Sequence, residues 1–167
     1  MTRALITGIG CVSPLGGSTE EFEEALFAGE CGLSAVERFP TEGLRNPLAG
    51  EVKALPQLPT WASEDAAETP ELRFLAQATE ECLRDAGLSP GGMPFGCVLS
   101  TNFAGSTEFD SAYGTSDGVP DLSRVRFDAG LDLLLGAGLE GPATVLSVSC
   151  ASGTSAIAMA AAWIAQG

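Results

Sequence analysis

One segment of the sequence places a cysteine where a nucleophile could act. Residues 148–155 are Val-Ser-Cys-Ala-Ser-Gly-Thr-Ser, so Cys150 stands between an apolar run that predicts a buried strand and a stretch that predicts a helix. The N-terminus of a helix favours negative charge, such as that of a thiolate or a developing oxyanion. The small residues after Cys150 would let a long substrate approach the sulfur. From these local features alone, a catalytic nucleophile and a buried structural thiol are both open interpretations of Cys150.

The composition excludes several classes of site and partner. The 167 residues include no histidine, so this chain cannot by itself build a His-ligated metal site, a Cys-His couple or an imidazole base. Its 22 acidic and 8 basic residues give a formal net charge of −14. That charge excludes a nucleic-acid binder, because neutralising phosphates requires clustered cations. A hydrophobic content of 45% is enough for a core, and the length suits one domain or part of a larger one.

The cysteine usage indicates a reducing compartment. The chain has five cysteines, an odd number without CxxC spacing. We therefore expect reduced thiols in a cytoplasmic protein rather than a disulfide framework. The N-terminus lacks the long apolar region and cleavage site of a signal peptide. Four of the five are expected to be structural: Cys11, Cys31, Cys82 and Cys97.

Two other motifs suggest different chemistry, each with a missing part. Gly8-Ile9-Gly10 resembles the start of a dinucleotide-binding fingerprint, but Ser13 stands at the third glycine and Pro14 interrupts the helix that would receive the pyrophosphate. Cys150 could also sit on the nucleophile elbow of a hydrolase. However, Val148 occupies a position that favours a small residue, and no histidine is present to complete a triad.

The first third of the sequence predicts a strand followed by a helix. Residues 4–10 are apolar and β-branched with no polar face, which is typical of a buried central strand in an α/β sheet. Ser18 and Glu21 have the spacing of a capping box, so a helix is expected to begin there and to end at Gly29. A short strand is expected over residues 48–52.

A second helix has clear start and stop signals. Thr69 is placed to cap it, and Pro70 takes the first helical position, where its missing N–H costs no hydrogen bond. Apolar residues then recur at helical spacing until Gly87, which predicts the end of the helix. The proline-rich, acidic segment before it, residues 55–69, is expected to be a surface loop.

The second half continues the alternation of strand and helix. Residues 95–101 and 143–148 predict strands, and residues 152–165 predict a helix. A weak helix is expected over about residues 127–135. Residues 102–124 are rich in Gly, Ser and Asp without periodicity, and predict an ordered loop near a site or an interface. The alternation indicates an α/β fold with a mixed, mostly parallel sheet.

The last predicted helix has no polar face. Residues 157–165 are all apolar, and a helix that is apolar all round must be covered on every side. The rest of the chain offers too few elements for that, so we expect pairing with another copy or membership of a longer polypeptide. The uncharged stretch 141–167 is long enough for a membrane span. Pro142 and the many serine and threonine residues of this stretch argue against a membrane span.

Two motifs at opposite ends of the chain resemble those of the β-ketoacyl synthases. Residues 6–16, Ile-Thr-Gly-Ile-Gly-Cys-Val-Ser-Pro-Leu-Gly, resemble the family's opening strand and turn. Residues 149–157, Ser-Cys-Ala-Ser-Gly-Thr-Ser-Ala-Ile, resemble its nucleophile motif. Further segments fall in the family's order and spacing: 22–32, 49–52, 83–88 and 138–142.

The resemblance implies a thiolase-like fold, of which residues 1–167 would be an incomplete N-terminal domain without the C-terminal half. Its nucleophile helix would be buried between two sheets in the complete fold. The reaction implied is a decarboxylative Claisen condensation of fatty-acid or polyketide synthesis. Cys150 would accept the acyl group as a thioester, and its backbone N–H would be one donor of the oxyanion hole.

The same resemblance implies particular partners. No cofactor or metal would be required, because substrates arrive on the phosphopantetheine of acyl carrier protein. A homodimer, or a heterodimer with another ketosynthase subunit, is expected. Because carrier proteins are acidic, docking on this acidic chain would need Arg124, Arg126 or a basic patch outside these residues.

Two departures from the family keep other interpretations open. The family's catalytic histidines, its lysine and its second oxyanion donor fall outside these residues, so condensation by this chain alone is not expected. Residues 124–135 replace a Pro-Asn-Met-Ala-like segment that contributes to the pocket gate and the dimer contact in many relatives. The alternatives are a non-catalytic partner subunit of the chain-length-factor type and an inactive fragment.

Overall fold

The computed structural model describes residues 3–54, 56–67, 69–91, 94–114, 119, 121–123 and 125–167. The chain divides into two compact units. The α1 unit comprises residues 7–59 and 73–89, and the α5 unit comprises residues 1–6, 60–72 and 90–167. Each is named after one of its helices, whose bounds are given below.

Helix α1, Thr19–Ala28, forms where the capping box predicts it. Ser18 is the N-cap, and its hydroxyl accepts the Glu21 N–H at 3.2 Å, while the Glu21 carboxylate accepts the Gly17 N–H at 2.7 Å. At the other end Gly29 adopts φ 73°, a left-handed conformation that glycine tolerates without a Cβ clash. Both termini of this helix are therefore set by local sequence.

The expected strand over residues 4–10 is not formed, and this prediction is wrong. Residues 3–12 carry no strand, and the Leu5 side chain is 77% exposed. A continuous apolar run indicates burial in a completed sheet, but a strand also needs a neighbour with which to pair its backbone. No such neighbour is present among the described residues.

Residues 8–11 instead follow the surface of helix α2, Pro70–Asp85. A Cβ on Gly10 would overlap the Ala78 carbonyl oxygen, so only glycine permits this approach. The Cys11 N–H donates to the Glu81 carboxylate at 2.9 Å. The other oxygen of the same carboxylate accepts the Thr19 N–H at 2.8 Å. Glu81, which is buried, thus ties the start of α1 and the glycine segment to α2.

Helix α2 confirms the second helix prediction. Pro70 is its first residue, and Gly87, with φ 71°, follows its last turn. The Leu88 N–H donates to the Leu83 carbonyl at 2.8 Å and closes that turn. The Thr69 hydroxyl, expected to cap the helix, donates to the Glu108 carboxylate at 3.2 Å.

The α1 unit contains one short hairpin. Strands β1, Leu33–Ala35, and β2, Leu48–Gly50, pair antiparallel, with Leu33 opposite Gly50 and Ala35 opposite Leu48. The sequence predicts β2 but not β1. Beyond β2, the Glu51 carboxylate accepts the Glu37 and Arg38 N–H groups at 3.0 and 3.1 Å.

The α5 unit is built on a parallel strand pair. Strands β3, Cys97–Ser100, and β4, Ala143–Leu146, pair in register from Cys97 with Ala143 to Ser100 with Leu146. Helix α5, Ser152–Gln166, packs on β3. Both strands and the helix confirm the sequence-based expectation. The described strands thus form two separate two-stranded sheets, one antiparallel and one parallel.

The segment expected to be a loop contains a helix. Helix α3, Ser106–Gly114, lies within residues 102–124, so the loop prediction is wrong for this part. Phe109 and Tyr113 stand four residues apart on α3 with ring centroids 4.6 Å apart, a contact that stabilises a helix. Helix α4, Ala129–Gly136, confirms the weak helix expected over residues 127–135.

The buried core of the α5 unit centres on helix α4, where Leu133 and Leu134 are buried. Helix α5 is different, because Ile157 is 65% exposed and Ile164 is 53% exposed. The expectation that this apolar helix lacks a covering here is confirmed. Among the described residues, no helix has the length and hydropathy that crossing a membrane would require.

Candidate functional site

Cys150 is exposed in the connection between strand β4 and helix α5. This connection leaves the carboxyl end of β4. The carboxyl end of the neighbouring parallel strand β3 lies at the same edge, because the two strands pair in register. Crevices at the carboxyl ends of parallel strands are the usual binding positions in α/β folds. The prediction that Cys150 lies between a strand and a helix start is therefore confirmed.

The connection turns sharply at Ser149. This residue has φ 52°, in the left-handed region that residues other than glycine seldom adopt. Backbone hydrogen bonds close the turn: Ala151 N–H donates to the Val148 carbonyl at 3.2 Å, and Ser152 N–H donates to the Ser149 carbonyl at 3.1 Å. The cysteine is thus presented on a tight, strained turn rather than on a flexible loop.

The N-terminus of helix α5 carries no side-chain cap. Its N-cap residue, Ala151, has no polar side-chain atom, and the first turn contains no acidic residue. The positive end of the helix dipole therefore has no negative side chain of its own helix to offset it. A Cβ added at Gly153 would point into open space. An anion or a developing oxyanion would be stabilised beside Cys150.

Ser152 links the turn to the neighbouring strand. Its side chain is buried, and its Oγ accepts the Val148 N–H at 2.9 Å. The same Oγ lies 2.7 Å from the Ser149 carbonyl oxygen and 2.9 Å from Oδ1 of Asn102. A hydroxyl has one proton, so it donates to one of these oxygens at a time.

Asn102 is the residue of this site that sequence reasoning missed. It follows β3, and its Oδ1 also accepts the Ser147 hydroxyl at 3.1 Å. The sequence placed it only at the start of a loop near a site. The available signal was its position after a strand predicted to run parallel to β4, since both strand ends then lie at one edge.

The other cysteines lie in different surroundings, and all five are free of disulfides. Burial raises the pKa of the Cys97 thiol in strand β3. Burial, followed by the Asp85 and Glu81 carboxylates, raises the pKa of the Cys82 thiol in helix α2. The backbone of Cys11 is held by Glu81. Cys31, unlike these three, is exposed.

The structure describes only one of the two arginines that were considered for docking an acidic carrier protein. Arg124 lies outside the described residues. Arg126 pairs with Asp128 at 3.0 Å and also with Asp132. The hydrogen bonds that Arg126 donates to the Asp128 and then the Asp132 carboxylate raise the pKa of Arg126, and the bond to Asp128 lowers the pKa of that carboxyl. Arg126 is therefore compensated locally and is a poor anchor for an acidic partner.

The dinucleotide interpretation of the N-terminal glycines is not supported. Residues 3–7, the described residues before Gly8, carry no strand, and no helix begins at Ser13. Gly8 and Gly10 instead allow close packing on helix α2. The glycine spacing is thus explained by packing between backbone segments.

The protein-family match and the similar curated proteins indicate the same family. Residues 1–167 match the protein family described as "Beta-ketoacyl synthase, N-terminal domain". A 3-oxoacyl-[acyl-carrier-protein] synthase 2 from Vibrio cholerae is 27% identical over 99% of this chain and 43% of its own length. The tetracenomycin polyketide synthase ketoacyl synthase beta subunit from Streptomyces glaucescens is 35% identical over 63% of this chain and 26% of its own length.

A solved structure agrees with these relatives. The crystal structure of a β-ketoacyl synthase from Burkholderia phymatum matches with a TM-score of 0.76 and 26% identity, over 100% of this chain and 44% of that one. The fold is thus the N-terminal half of a thiolase-like fold, as predicted. The chain spans about two fifths of the length of the curated relatives that it matches over nearly its whole extent.

Proposed function

The chain belongs to the β-ketoacyl synthase family through that family's N-terminal domain, and from this premise we propose that Cys150 is the acyl acceptor of a decarboxylative condensation. The observation that carries the proposal is the exposure of Cys150 on a strained turn at the uncapped N-terminus of helix α5. A structural thiol has no need of such a position, whereas a nucleophile gains access and favourable electrostatics from it.

The proposed reaction has two transfers. In the first, the Cys150 thiolate attacks the thioester carbonyl of an acyl group on the phosphopantetheine of acyl carrier protein. A carbon–sulfur bond to Cys150 forms, the bond to phosphopantetheine breaks, and that sulfur leaves and takes up a proton. In the second, a malonyl thioester loses CO2, and its carbanion attacks the acyl group on Cys150. A carbon–carbon bond forms, and the Cys150 thiolate leaves.

Both transfers pass through a tetrahedral intermediate with a negative oxygen. The Cys150 N–H is proposed as one donor to that oxygen, near the positive end of the α5 dipole. With no histidine in these 167 residues, the groups that promote decarboxylation and the second donor must come from other residues. The proposed activity therefore belongs to a longer polypeptide or to a complex that contains this domain.

The proposed partners follow from the same reaction. Acyl carrier protein would deliver the substrates, and no metal or redox cofactor would be required. The rest of the thiolase-like fold would cover helix α5, which exposes Ile157 and Ile164. A second ketosynthase subunit, identical or different, would complete the assembly. The relative named as a beta subunit supports a heterodimer as one form of this assembly. The thiol-rich sequence without disulfides supports a cytoplasmic location.

A non-catalytic partner subunit is the second candidate. It is favoured by the relative named as a ketoacyl synthase beta subunit. The two candidates differ in what they require of Cys150. A subunit that only dimerises and shapes a tunnel has no use for a reactive thiol at this turn.

Thiol reactivity separates the two candidates. We expect iodoacetamide to alkylate Cys150, in the full-length protein with its partner subunit, about tenfold faster than it alkylates glutathione, because of the helix N-terminus. Cys150→Ser should abolish the fast phase, while the matched variant Cys31→Ser should keep it. A Cys150 that reacts no faster than glutathione would overturn the enzymatic proposal and leave the non-catalytic subunit.

A further inference from the structure

We propose that Asn102 is a positioning residue that holds the turn bearing Cys150. This inference rests on the proposed function of Cys150 and adds a residue to that site. Its carboxamide oxygen lies 3.1 Å from the Ser147 hydroxyl and 2.9 Å from the Ser152 hydroxyl. These two serines stand on either side of Cys150 in the sequence, so one side chain bridges the turn.

The bridge joins three segments at one edge of the sheet. Asn102 follows strand β3, Ser147 follows strand β4, and Ser152 is the first residue of helix α5. The parallel ladder continues to the bridge, because the Thr101 N–H donates to the Leu146 carbonyl at 3.2 Å. The Asn102 backbone is thus fixed by β3 on the same side from which its side chain reaches the turn.

The loop that carries Asn102 is itself held. The Thr101 hydroxyl accepts the Ala104 N–H at 3.1 Å, which closes a tight turn around Asn102. An anchor of this kind loses little conformational entropy when it engages the serines. Asn102 is therefore placed to transmit the position of β3 to the Cys150 turn.

The turn needs such support because it is strained. Ser149 holds φ 52°, and a conformation of that kind persists only when its surroundings over-determine it. The Ser152 Oγ supplies part of that constraint through the Val148 N–H and the Ser149 carbonyl oxygen. When the Ser152 hydroxyl donates to Asn102 Oδ1 instead of to the Ser149 carbonyl, Asn102 holds the same Oγ from outside the turn. Loss of Asn102 would let Ser152 and the turn relax together.

Relaxation of the turn would act on chemistry through geometry. The Cys150 sulfur and the Cys150 N–H both depend on the turn for their direction relative to helix α5. A misplacement of about 1 Å can lower the rate of a positioned reaction by up to two orders of magnitude. Asn102 acts through Ser147 and Ser152, and it is not proposed to contact the substrate.

The test is Asn102→Ala in the full-length protein with its partner subunit. We expect the iodoacetamide rate at Cys150, divided by the rate at the exposed Cys31, to fall about fivefold. With an acyl-thioester mimic, the maximal acylation rate should fall while the half-saturating concentration stays unchanged. The matched control is Asn46→Ala, which removes a single hydrogen bond to the Leu48 N–H in the α1 unit and should leave the ratio unchanged.

A double mutant shows whether Asn102 acts through Ser152. Once Ser152→Ala has removed the shared hydroxyl, adding Asn102→Ala should lower the Cys150 ratio by much less than fivefold. The inference would be overturned if the two substitutions lowered the Cys150 ratio additively. It would also be overturned if a folded Asn102→Ala variant left that ratio unchanged. If Asn102→Ala does not fold, Ser147→Ala removes one of the two contacts, and an unchanged ratio in that variant overturns it equally.

The inference and the proposed function fail in different ways. A wild-type Cys150 that accepts no acyl group refutes the proposed function, whatever the variants do. A wild-type Cys150 that is acylated, together with a normal maximal rate in Asn102→Ala, refutes the role of Asn102 alone.

Discussion

At the scale of single residues, the turn before helix α5 concentrates backbone strain beside the candidate nucleophile. Ser149 is exposed, so its side chain gains little from packing, and its left-handed backbone is a net cost to the fold. A serine at this position gives the turn less conformational freedom than a glycine would, at the expense of that strain. The rigidity would serve Cys150, which follows directly.

Substitution of Ser149 tests this strain. Ser149→Val should lower the free energy of unfolding by about 1–2 kcal/mol, because a β-branched residue is strongly disfavoured at positive φ. Ser149→Gly should leave it nearly unchanged, because relief of strain offsets the greater freedom of the unfolded chain. Urea titration followed by circular dichroism measures both. Equal stability of the valine and glycine variants would contradict the strained turn.

The position of Cys150 could be predicted from the sequence, whereas its connection to Asn102 could not. An apolar run followed by small residues is enough to indicate a strand, a turn and a helix start. The contact between Asn102 and Ser152 depends instead on the register of β3 against β4, which hydropathy does not encode. Residues separated by fifty positions meet only once that register is set.

At the scale of elements, one buried carboxylate fixes the relation between helix α2 and the segments around α1. Glu81 accepts the backbone N–H groups of Cys11 and Thr19, each at less than 3 Å. Hydrogen bonds to a charged acceptor are stronger than those between neutral groups. Because no strand contains residues 8–11, the Cys11 N–H finds its acceptor in Glu81, and the Ile9 N–H finds one in the Asp85 carboxylate at 2.9 Å.

Removal of this carboxylate should be costly. We expect Glu81→Ala to lower the free energy of unfolding by about 3 kcal/mol, because two backbone donors lose a charged acceptor in a buried place. The matched control Glu23→Ala, on the exposed face of α1, should change stability by less than about 0.5 kcal/mol. Thermal unfolding of both variants makes the comparison. A loss in Glu81→Ala no larger than in the control would contradict this role.

A second carboxylate gives the hairpin a dependence on pH. Hydrogen bonds from the Glu37 N–H, Lys53 and the Arg38 N–H lower the pKa of Glu51. A lowered pKa contributes stability above the unfolded-state pKa, and that contribution is lost as the pH falls through the folded-state pKa. We therefore expect wild type to be more stable than Glu51→Gln at pH 7, with the difference disappearing in acid.

Denaturant titrations of wild type and Glu51→Gln at pH 7 and at about pH 3 measure this dependence. Glu24→Gln on helix α1, whose side chain is exposed, is the control for the removal of one negative charge from this unit. A difference between wild type and Glu51→Gln that grows as the pH falls would contradict the assignment.

The elements that sequence analysis misplaced share a physical cause. The apolar run at residues 4–10 indicates what a completed sheet would bury, but pairing depends on strands that are not among the described residues. Helix α3 was hidden by its Gly, Ser and Asp content, although the spacing of Phe109 and Tyr113 carried a helical signal. Helices α1 and α2 were predicted well, because their start and stop signals are local.

At the scale of the whole molecule, helix α4 contributes two buried leucines to the core, whereas helix α5 exposes two isoleucines. Leu133 on helix α4 is buried, whereas Ile164 on helix α5 is 53% exposed. Exposed apolar patches of this kind mark surfaces that meet another protein surface. For helix α5, the family relationship supports a covering by the rest of a ketosynthase assembly.

Substitutions on these two helices should differ in their effect on this chain. Leu133→Ala should lower the free energy of unfolding by about 2–5 kcal/mol, because it leaves a cavity in the core. Ile164→Ala should cost less than about 1 kcal/mol and should reduce binding of a fluorescent dye that reports exposed apolar surface. A wild-type chain that binds no dye and remains monomeric would contradict the uncovered helix.

Mapping which residue accepts an acyl group tests the proposed role of Cys150 most directly. The full-length protein with its partner subunit is incubated with acyl-loaded carrier protein, and its peptides are analysed by mass spectrometry. We predict one acyl group in thioester linkage on Cys150, released by hydroxylamine and absent from Cys150→Ser. Acylation at another cysteine, or equal acylation of wild type and Cys150→Ser, would contradict the proposed role of Cys150.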